Sequence, residues 1–390
     1  MKLTKIAISL CLVSVLMFSC GNDSFSGLSV VAEKKGELIV CDPSLLNETL
    51  VLPLSMFAEE LQMVKLDNAD EALVGQSSVI ISDNYILTGI SNQMPYKLFD
   101  KKTGKFLNNI GAYGQGPGEY HMIYSQQIDE KNDRIYLLPW DARSILEYNL
   151  KGDFQGEIPL CNRIPKANFH VDTKAGTLIV SCLPFNRGMN ASVWQQTVKG
   201  EMLKSLMPEH LAFNPTYNNE ISSYRSADIY GYNVFTFEPR VDSIYHYDVN
   251  QNKLIPVFTM NFKTDKIPIH FYVETKNYFM GDFSEEKKLS ETMTTTQNQR
   301  YYFVDKRSLK GSFFTIENDY LGGVPINKPI FVFAEDYYIL NIEPGDLREK
   351  LEDILTKNDK MTPEMRTKLT KMKDSISDKD NNYVFYAKMK

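Results

Sequence analysis

Five histidines, His121, His170, His210, His246 and His270, are the residues best suited to proton transfer or metal binding, and they are scattered. No H-E-x-x-H pair, no paired metal-ligand spacing and no G-x-S-x-G nucleophile turn accompanies them. Each lone histidine therefore reads as a satisfied loop or core residue, and neither a cofactor nor a metal is expected. The densest special segment is the glycine loop from Asn109 to Tyr120, with Gly114, Gly116, Pro117 and Gly118. Its spacing is not G-x-G-x-x-G, no Lys-Ser/Thr pair follows, and the next segment has strand character, so a phosphate cradle is not indicated. Glycine at these positions permits backbone angles closed to other residues, and proline withholds a donor, which suits a tight crossing between sheets.

The chain that must position these residues has 390 residues, 43% hydrophobic and 24% charged, enough for two domains or one closed repeat. Its 22 Tyr, 22 Phe and many β-branched residues favour strands. Lys2 and Lys5, an apolar run from Ile6 to Phe18, and Ser19 before Cys20 form a secretory signal, too short to span a bilayer. Met17 to Cys20 loosely resembles a lipobox, so Cys20 is expected to carry the lipid that anchors the mature chain; cleavage to a free protein is the alternative. Loss of residues 1–19 removes two lysines and brings the formal charge from −6 to −8. With basic residues interspersed among acidic ones, nucleic-acid binding is not expected. Cys41, Cys161 and Cys182 then remain, an odd number that argues against a disulfide framework; they read as buried small hydrophobes, with one pair in an oxidising compartment as the alternative.

A repeat organises the rest. Turns at Asp100–Phe106, Asn149–Phe154 and Thr197–Met202 each lie between apolar strands, and Gly104, Gly152 and Gly200 recur every 48 residues. Related turns follow at Asp248–Leu254 and Asp305–Gly311. A second turn locked in phase opens strands at Asp83, Asn132, Lys174 and Glu335. Several short strands per unit of this length are the mark of a propeller. Four strands per blade, A to D from the axis outward, place blades at about 77–110, 124–160, 167–206, 222–260 and 278–317. The sixth is expected from 329–334, 336–342 and 382–390, with 60–66 supplying its fourth strand from the other end of the chain. Residues 343–381 break the pattern with two amphipathic helices, the first capped by Asp346 and the second by Thr362 ahead of Pro363.

The loop Asn109–Tyr120, the turn Asp100–Gly104, the segment Asn318–Gly323 and the strand ending at Lys390 resemble the six-bladed β-propeller lipoproteins of Bacteroidota, of NHL-like or TolB-like architecture. The resemblance spans most of residues 50–390. It departs at Asn381-Asn382, near the closing strand, where Asn-Pro is commoner. It implies a fold and an envelope address, probing no chemistry and supplying no catalytic residues. The expected fold is thus all-β: a six-bladed β-propeller closed by pairing of N- and C-terminal strands, with a two-helix insertion in the last blade. The domains are a signal peptide (1–19), a lipid-anchored linker and lead-in (20–49) and the propeller (50–390).

In such blades the B–C loops and the D-to-A crossings share one face. That face would gather Tyr113, Glu119, Tyr120, Trp140, Asp141, Arg143, Asn186, Arg187, Glu238 and Arg240 around a rim. Of these, Tyr113, Tyr120, Trp140, Arg143, Arg187 and Arg240 are the ligand-binding candidates, by stacking and bidentate hydrogen bonds. The leading expectation is a monomeric, lipid-anchored binding module of the cell envelope, at the outer membrane, that presents this face to a glycan, a peptide or an envelope protein. A metal-assisted hydrolase or lyase centred in the channel is the rival, and an assembly subunit using the helices as its contact is a third.

Overall fold

A computed structural model of the chain describes residues 27–89, 94–186, 191–215, 219–226, 229–236, 240–290, 294–334 and 336–390. Six antiparallel blades surround an axis, five of them continuous at 78–110, 123–164, 167–206, 220–260 and 269–318. The sixth takes Phe333–Ala334, Tyr337–Ile342 and Tyr383–Lys388 from the C-terminal part and its outer strand from residues 62–65. This is the expected closure. The fifth blade departs from expectation: its inner strand is Ile269–Glu274, so the blade begins before residue 278. Its next two strands, Tyr278–Lys288 and Thr294–Asp305, are long enough to stretch the interval between the turns at Asp248 and Asp305 beyond the 48-residue spacing, which hid the inner strand.

The recurring glycines have a packing cause. Gly104, Gly152 and Gly200 all have positive φ, at 71°, 85° and 87°. Each also abuts the outer strand of the preceding blade: a Cβ would lie 2.0 Å from the Lys65 carbonyl oxygen at Gly104, 2.1 Å from that of Asn109 at Gly152, and 2.9 Å from the Pro159 ring at Gly200. Left-handed backbone and contact with the neighbouring blade thus demand the same residue. In the fourth and fifth blades Asn252 and Leu309 occupy the left-handed position, at φ 51° and 58°. Asn252 turns the contact into a hydrogen bond, donating Nδ2 to the Ser205 carbonyl at 2.9 Å.

Before closing the ring, the N-terminal segment runs as a belt along its outside. The hairpin β1 (Ala32–Lys35) and β2 (Leu38–Cys41) joins the fourth blade, β2 lying parallel to Lys253–Met260. Next, β3 (Thr49–Pro53) lies parallel to Gly311–Asn318 on the fifth blade. Finally β4 (Gln62–Lys65) pairs antiparallel with Tyr383–Lys388. The belt covers three sheet edges that would otherwise offer unpaired N–H and C=O groups. Cys41 and Cys182 are buried, Cys161 is half-buried, and all three are free thiols.

Two buried asparagines lock the closure. The Asn381 Oδ1 accepts from the Val74 amide at 3.0 Å, while Nδ2 donates to the carbonyls of Asp67 at 2.7 Å and Ala72 at 2.9 Å. Asn382 Nδ2 donates to the Gly75 carbonyl at 3.1 Å and to Asn341 Oδ1 at 3.0 Å. Proline at 382 would abolish the backbone N–H that reaches Asn381 Oδ1 at 2.9 Å. Beside them, Asp380 accepts from Tyr383 Oη at 2.7 Å, the Ser377 amide at 2.9 Å, and Lys65 Nζ and Asn68 Nδ2, each at 3.2 Å. Burial opposes the Asp380 charge, but these donors outweigh it and hold the carboxyl well below its usual range.

The helices α1 (Pro344–Lys357) and α2 (Pro363–Ser375) interrupt the sixth blade between its second and third strands. Thr362 caps α2, accepting from the Met365 amide at 3.2 Å. For α1 the expected cap is corrected: Glu343 is the N-cap, Pro344 opens the helix, and Asp346 lies in the first turn, where its charge favours the helix dipole. Leu347, Leu351, Leu369 and Ile376 bury against Leu321, Val324 and Ile330 of the crossing from the fifth blade to the sixth. The pair thereby seals the side of the ring that contains the closure.

Three measurements test this account. Gly152→Ala should lower unfolding free energy by about 2–4 kcal/mol in urea titration, combining left-handed strain with the clash at Asn109. Asn381→Ala should cost about 2–4 kcal/mol by the same assay, because four backbone groups, the Val74 and Asn382 amides and the Asp67 and Ala72 carbonyls, lose their partner. The stability contributed by Asp380 is fully present above its unfolded pKa near about 4 and is lost as the pH falls through the lower folded value. Asp380→Asn should therefore lose stability at neutral pH and show a shallower decline on acidification than the unaltered chain.

Candidate functional site

Polar side chains on the first two strands of the blades, and in the turns between them, bridge adjacent blades around the axis. From the second blade to the third, Gln127 donates Nε2 to the Val171 carbonyl at 3.0 Å and accepts from the Val171 amide at 2.9 Å. Asn168 Nδ2 reaches the Ile221 carbonyl at 3.1 Å across the next seam, and Asn233 Nδ2 reaches that of Tyr272 at 2.9 Å across the one after. Asn277 Nδ2 meets the Lys390 carbonyl at 2.9 Å, Asn341 Nδ2 meets Ser77 Oγ at 2.9 Å, and Asn84 bonds Glu130. A side-chain amide thus spans each of the six seams.

These strands and their A–B turns enclose a cavity of about 1150 Å³. Its lining comes from the first four blades and the sixth, including Gln127, His170, Gln195, Arg225, Tyr230 and His246. It opens where the A–B turns lie, opposite the face of the B–C loops and the D-to-A crossings. Carboxylates ring it, and several are committed to local structure: Asp129 accepts from Asn132 Nδ2 at 2.7 Å, and Asp172 accepts from the Ala175 amide at 2.9 Å.

Two histidines in the lining differ in setting. His170 has Nδ1 at 3.2 Å from Gln127 Oε1. Burial, reinforced by the nearby Arg225 charge, pushes its pKa down to about 4, so it is a neutral hydrogen-bonding group at physiological pH. His246 has Nε2 at 2.8 Å from Glu274 Oε2, and Lys306 Nζ lies 2.7 Å from the other oxygen of the same carboxylate. Glu274 is buried, which works to raise its pKa, yet His246 and Lys306 prevail and hold it below the usual value. Gly231, cross-strand partner of His246, leaves the corridor for this contact: a Cβ there would lie 3.2 Å from Glu274 Oε2. The result is an oriented imidazole on the cavity wall. Among the described residues, no three His, Cys, Asp or Glu side chains converge as a metal-ligand set.

The residues expected on the opposite rim have varied settings. Tyr113 is exposed and stands edge-on to His121, with ring centroids 4.8 Å apart. Tyr120 is buried; its hydroxyl donates to the Ile110 carbonyl at 2.5 Å and accepts from the Tyr96 amide at 2.7 Å, so it pins the loop from inside. Trp140 is half-buried, and its main-chain amide donates to the Met122 carbonyl at 2.9 Å. Arg143 is exposed. Arg240 donates Nη1 to the Leu211 carbonyl at 2.6 Å, pairs with Asp242 at 3.4 Å and lies over the Phe213 ring. Arg187, Glu238 and Cys20 lie outside the described residues.

In the glycine loop, φ is positive at Gly118 and also at Gly111, while Gly114 and Gly116 do not adopt positive φ, contrary to the expected backbone role. Their neighbour is the Glu119 carboxylate, which accepts from the Gly116 amide at 2.8 Å and would lie 2.0 Å from a Cβ at Gly114. A side chain at 114 would therefore have to displace the Glu119 carboxylate from the Gly116 amide. The loop containing Pro117 is held by the Tyr148 hydroxyl, which donates to the Gly118 carbonyl at 2.9 Å.

A central channel is expected from the sequence, but the residues that line it escape the sequence reading. Their signal lies in strands such as Ser125–Asp129, where polar side chains precede an acidic turn, but an outward-facing strand has the same pattern.

Among solved structures, the chain is similar to a protein of Bacteroides fragilis NCTC 9343 provisionally named an exported protein. Identity is 17%, over 90% of this chain and 99% of the other, with a TM-score of 0.57. A member of the DUF4221 family from Bacteroides vulgatus ATCC 8482 matches at 11% identity over 85% and 97% of the two chains, with a TM-score of 0.41. Among curated proteins no match is found. The model of one family matches residues 38–388, which takes in all six blades and the belt from β2 onward, and the chain belongs to that family, described as Domain of unknown function (DUF4934).

Proposed function

We propose that the protein is an exported, lipid-anchored propeller of the cell envelope that binds a polar ligand, a glycan or a peptide, in its axial cavity. The observation that carries this reading is the cavity of about 1150 Å³, lined by strands and turns of five blades. Its size is slightly above the usual range for small-molecule sites, and its walls offer amides, an arginine, three tyrosines and two histidines for orientation. His170, being neutral, suits hydrogen bonding to an uncharged hydroxyl or amide. The export signal and Cys20 support the address, as does the provisional name of the B. fragilis protein. A second reading, hydrolysis in the same cavity, is favoured by one arrangement, the His246 imidazole held by Glu274.

Calorimetric titration of the mature chain carrying Cys20→Ser, against panels of oligosaccharides and peptides, tests the proposal. Saturable binding should weaken by about tenfold or more, equivalent to about 1.4 kcal/mol, in Arg225→Ala and in Gln195→Ala. Trp140→Ala and Arg143→Ala should leave it unchanged. Loss confined to the Trp140 and Arg143 variants would move the site to the opposite face, and absence of saturable binding across both panels would defeat the binding reading. Release of product from the same panels, abolished by His246→Ala, would establish the hydrolytic reading instead.

A further inference from the structure

The axial cavity is lopsided. From the first and second blades it takes only the innermost strand and the turn that follows, residues 80–83 and 127–132. From the third and fourth it reaches out to the third strands, at Gln195 and Tyr247. Gln195 ends a row across the third blade, in which His170 pairs with Ile179 and Ile179 with Gln195. On the fourth blade Arg225 pairs with Tyr230, and the register that sets Gly231 opposite His246 sets Tyr230 opposite Tyr247. Ile179 packs in one cluster with Tyr230 and Tyr247, so the two rows face each other across the seam. Beyond the fourth blade only one wall exists: His246 and Ile255 line the cavity there, and among the described residues the fifth blade contributes none.

The cavity therefore has an arm that runs outward between the third and fourth blades for two strand spacings, about 10 Å. Its outer end is shut. Lys204, the cross-strand partner of Gln195, donates Nζ to the carbonyls of Val249 at 2.7 Å and Asn250 at 3.1 Å. The tyrosine walls are fixed, the Tyr230 hydroxyl lying 2.8 Å from Ser181 Oγ and that of Tyr247 donating to Asn252 Oδ1 at 2.7 Å. By contrast, the half-buried Gln195 side-chain amide has no hydrogen-bond partner among the described residues.

A blind, narrow arm off a wider chamber suits the end of a linear chain better than a compact ligand. The walls also select its chemistry. Their main-chain groups are engaged in the ladders, so no free strand edge is available for a peptide backbone to pair with. Side chains alone are offered: an amide and a neutral imidazole, each able to donate and accept, beside the apolar surface of Ile179 and the tyrosines. Alternating hydroxyls and C–H faces of sugar rings match that mixture. Six carboxylates against four basic side chains in the whole lining disfavour an acidic chain. We infer that the ligand is a linear, uncharged oligosaccharide whose end enters this arm, with the following units in the axial chamber. This rests on the reading that the cavity binds a polar ligand, and it names the class and the seat.

The test titrates the mature chain carrying Cys20→Ser with neutral cello-, malto- and manno-oligosaccharides from the monosaccharide upward, with oligogalacturonates and peptides as the other arms. In a neutral series that binds, affinity should rise tenfold or more over the first few units and then level off. Ile179→Trp, which fills the arm, should remove most of that rise while leaving the urea midpoint intact; Ile179→Phe serves if the larger ring unfolds the chain. Lys204→Ala, which opens the outer end, should move the plateau to longer chains. An affinity independent of chain length, or a rise that persists with the arm filled, would overturn the inference while the cavity still binds. Saturable binding confined to the acidic sugars or the peptides would overturn it in the same way. No saturable binding in any arm would defeat the binding reading itself, and this inference with it.

Discussion

A ring of sheets holds only if its first and last members are joined, and here the join depends on pairing β4 with Tyr383–Lys388. Strand pairing alone would leave the connection from β4 to the first blade loose. Asn381 and Asn382 tie that connection down, their side chains reaching Asp67, Ala72, Val74 and Gly75. These contacts link residues more than 300 positions apart in the chain. A buried amide with both ends satisfied is well suited to this, because any shift in register strands several polar groups away from water. The helices add an apolar clamp beside it, through Leu369 and Ile376 packed on the crossing into the sixth blade.

The same economy governs the remaining seams. Each blade is hydrogen-bonded within itself but meets its neighbours through side chains, so orientation between blades must come from shape and from isolated polar contacts. Near the axis those contacts are amides such as Gln127 and Asn168. At the outside they are turns whose glycines permit backbone to touch backbone, as at Gly152 against Asn109. Large aromatics, among them Tyr148, Phe258 and Phe385, fill the space between. The division leaves the axis polar, and the cavity inherits its hydrogen-bonding character from the groups that hold the blades in place.

Much of this was legible because it is periodic. Gly104, Gly152 and Gly200 could be recognised by spacing since one packing requirement recurs at each. The closing strands were legible because an incomplete blade at one end of the chain needs a complement at the other. What could not be read was whatever depends on which way a side chain points in three dimensions. Tyr113 and Tyr120 are near neighbours in one loop, yet one is exposed and the other is pinned between Ile110 and Tyr96. Gly114 looked like a residue needed for its backbone angles, whereas its φ is not positive and its near neighbour is the Glu119 carboxylate. Likewise, the pairing of His246 with Glu274 crosses from one blade to the next and leaves no local pattern.

The placement of β4 also governs when the molecule can be finished. That strand is synthesised early, but its partner in the ladder, Tyr383–Lys388, follows more than 300 residues later. Throughout synthesis, an unsatisfied strand must wait in an aggregation-prone state for a complement that has yet to emerge. Assembly is therefore gated by arrival of Tyr383–Lys388, and a chain cut short just before that strand would yield an open arc with two sticky ends instead of a slightly shortened ring.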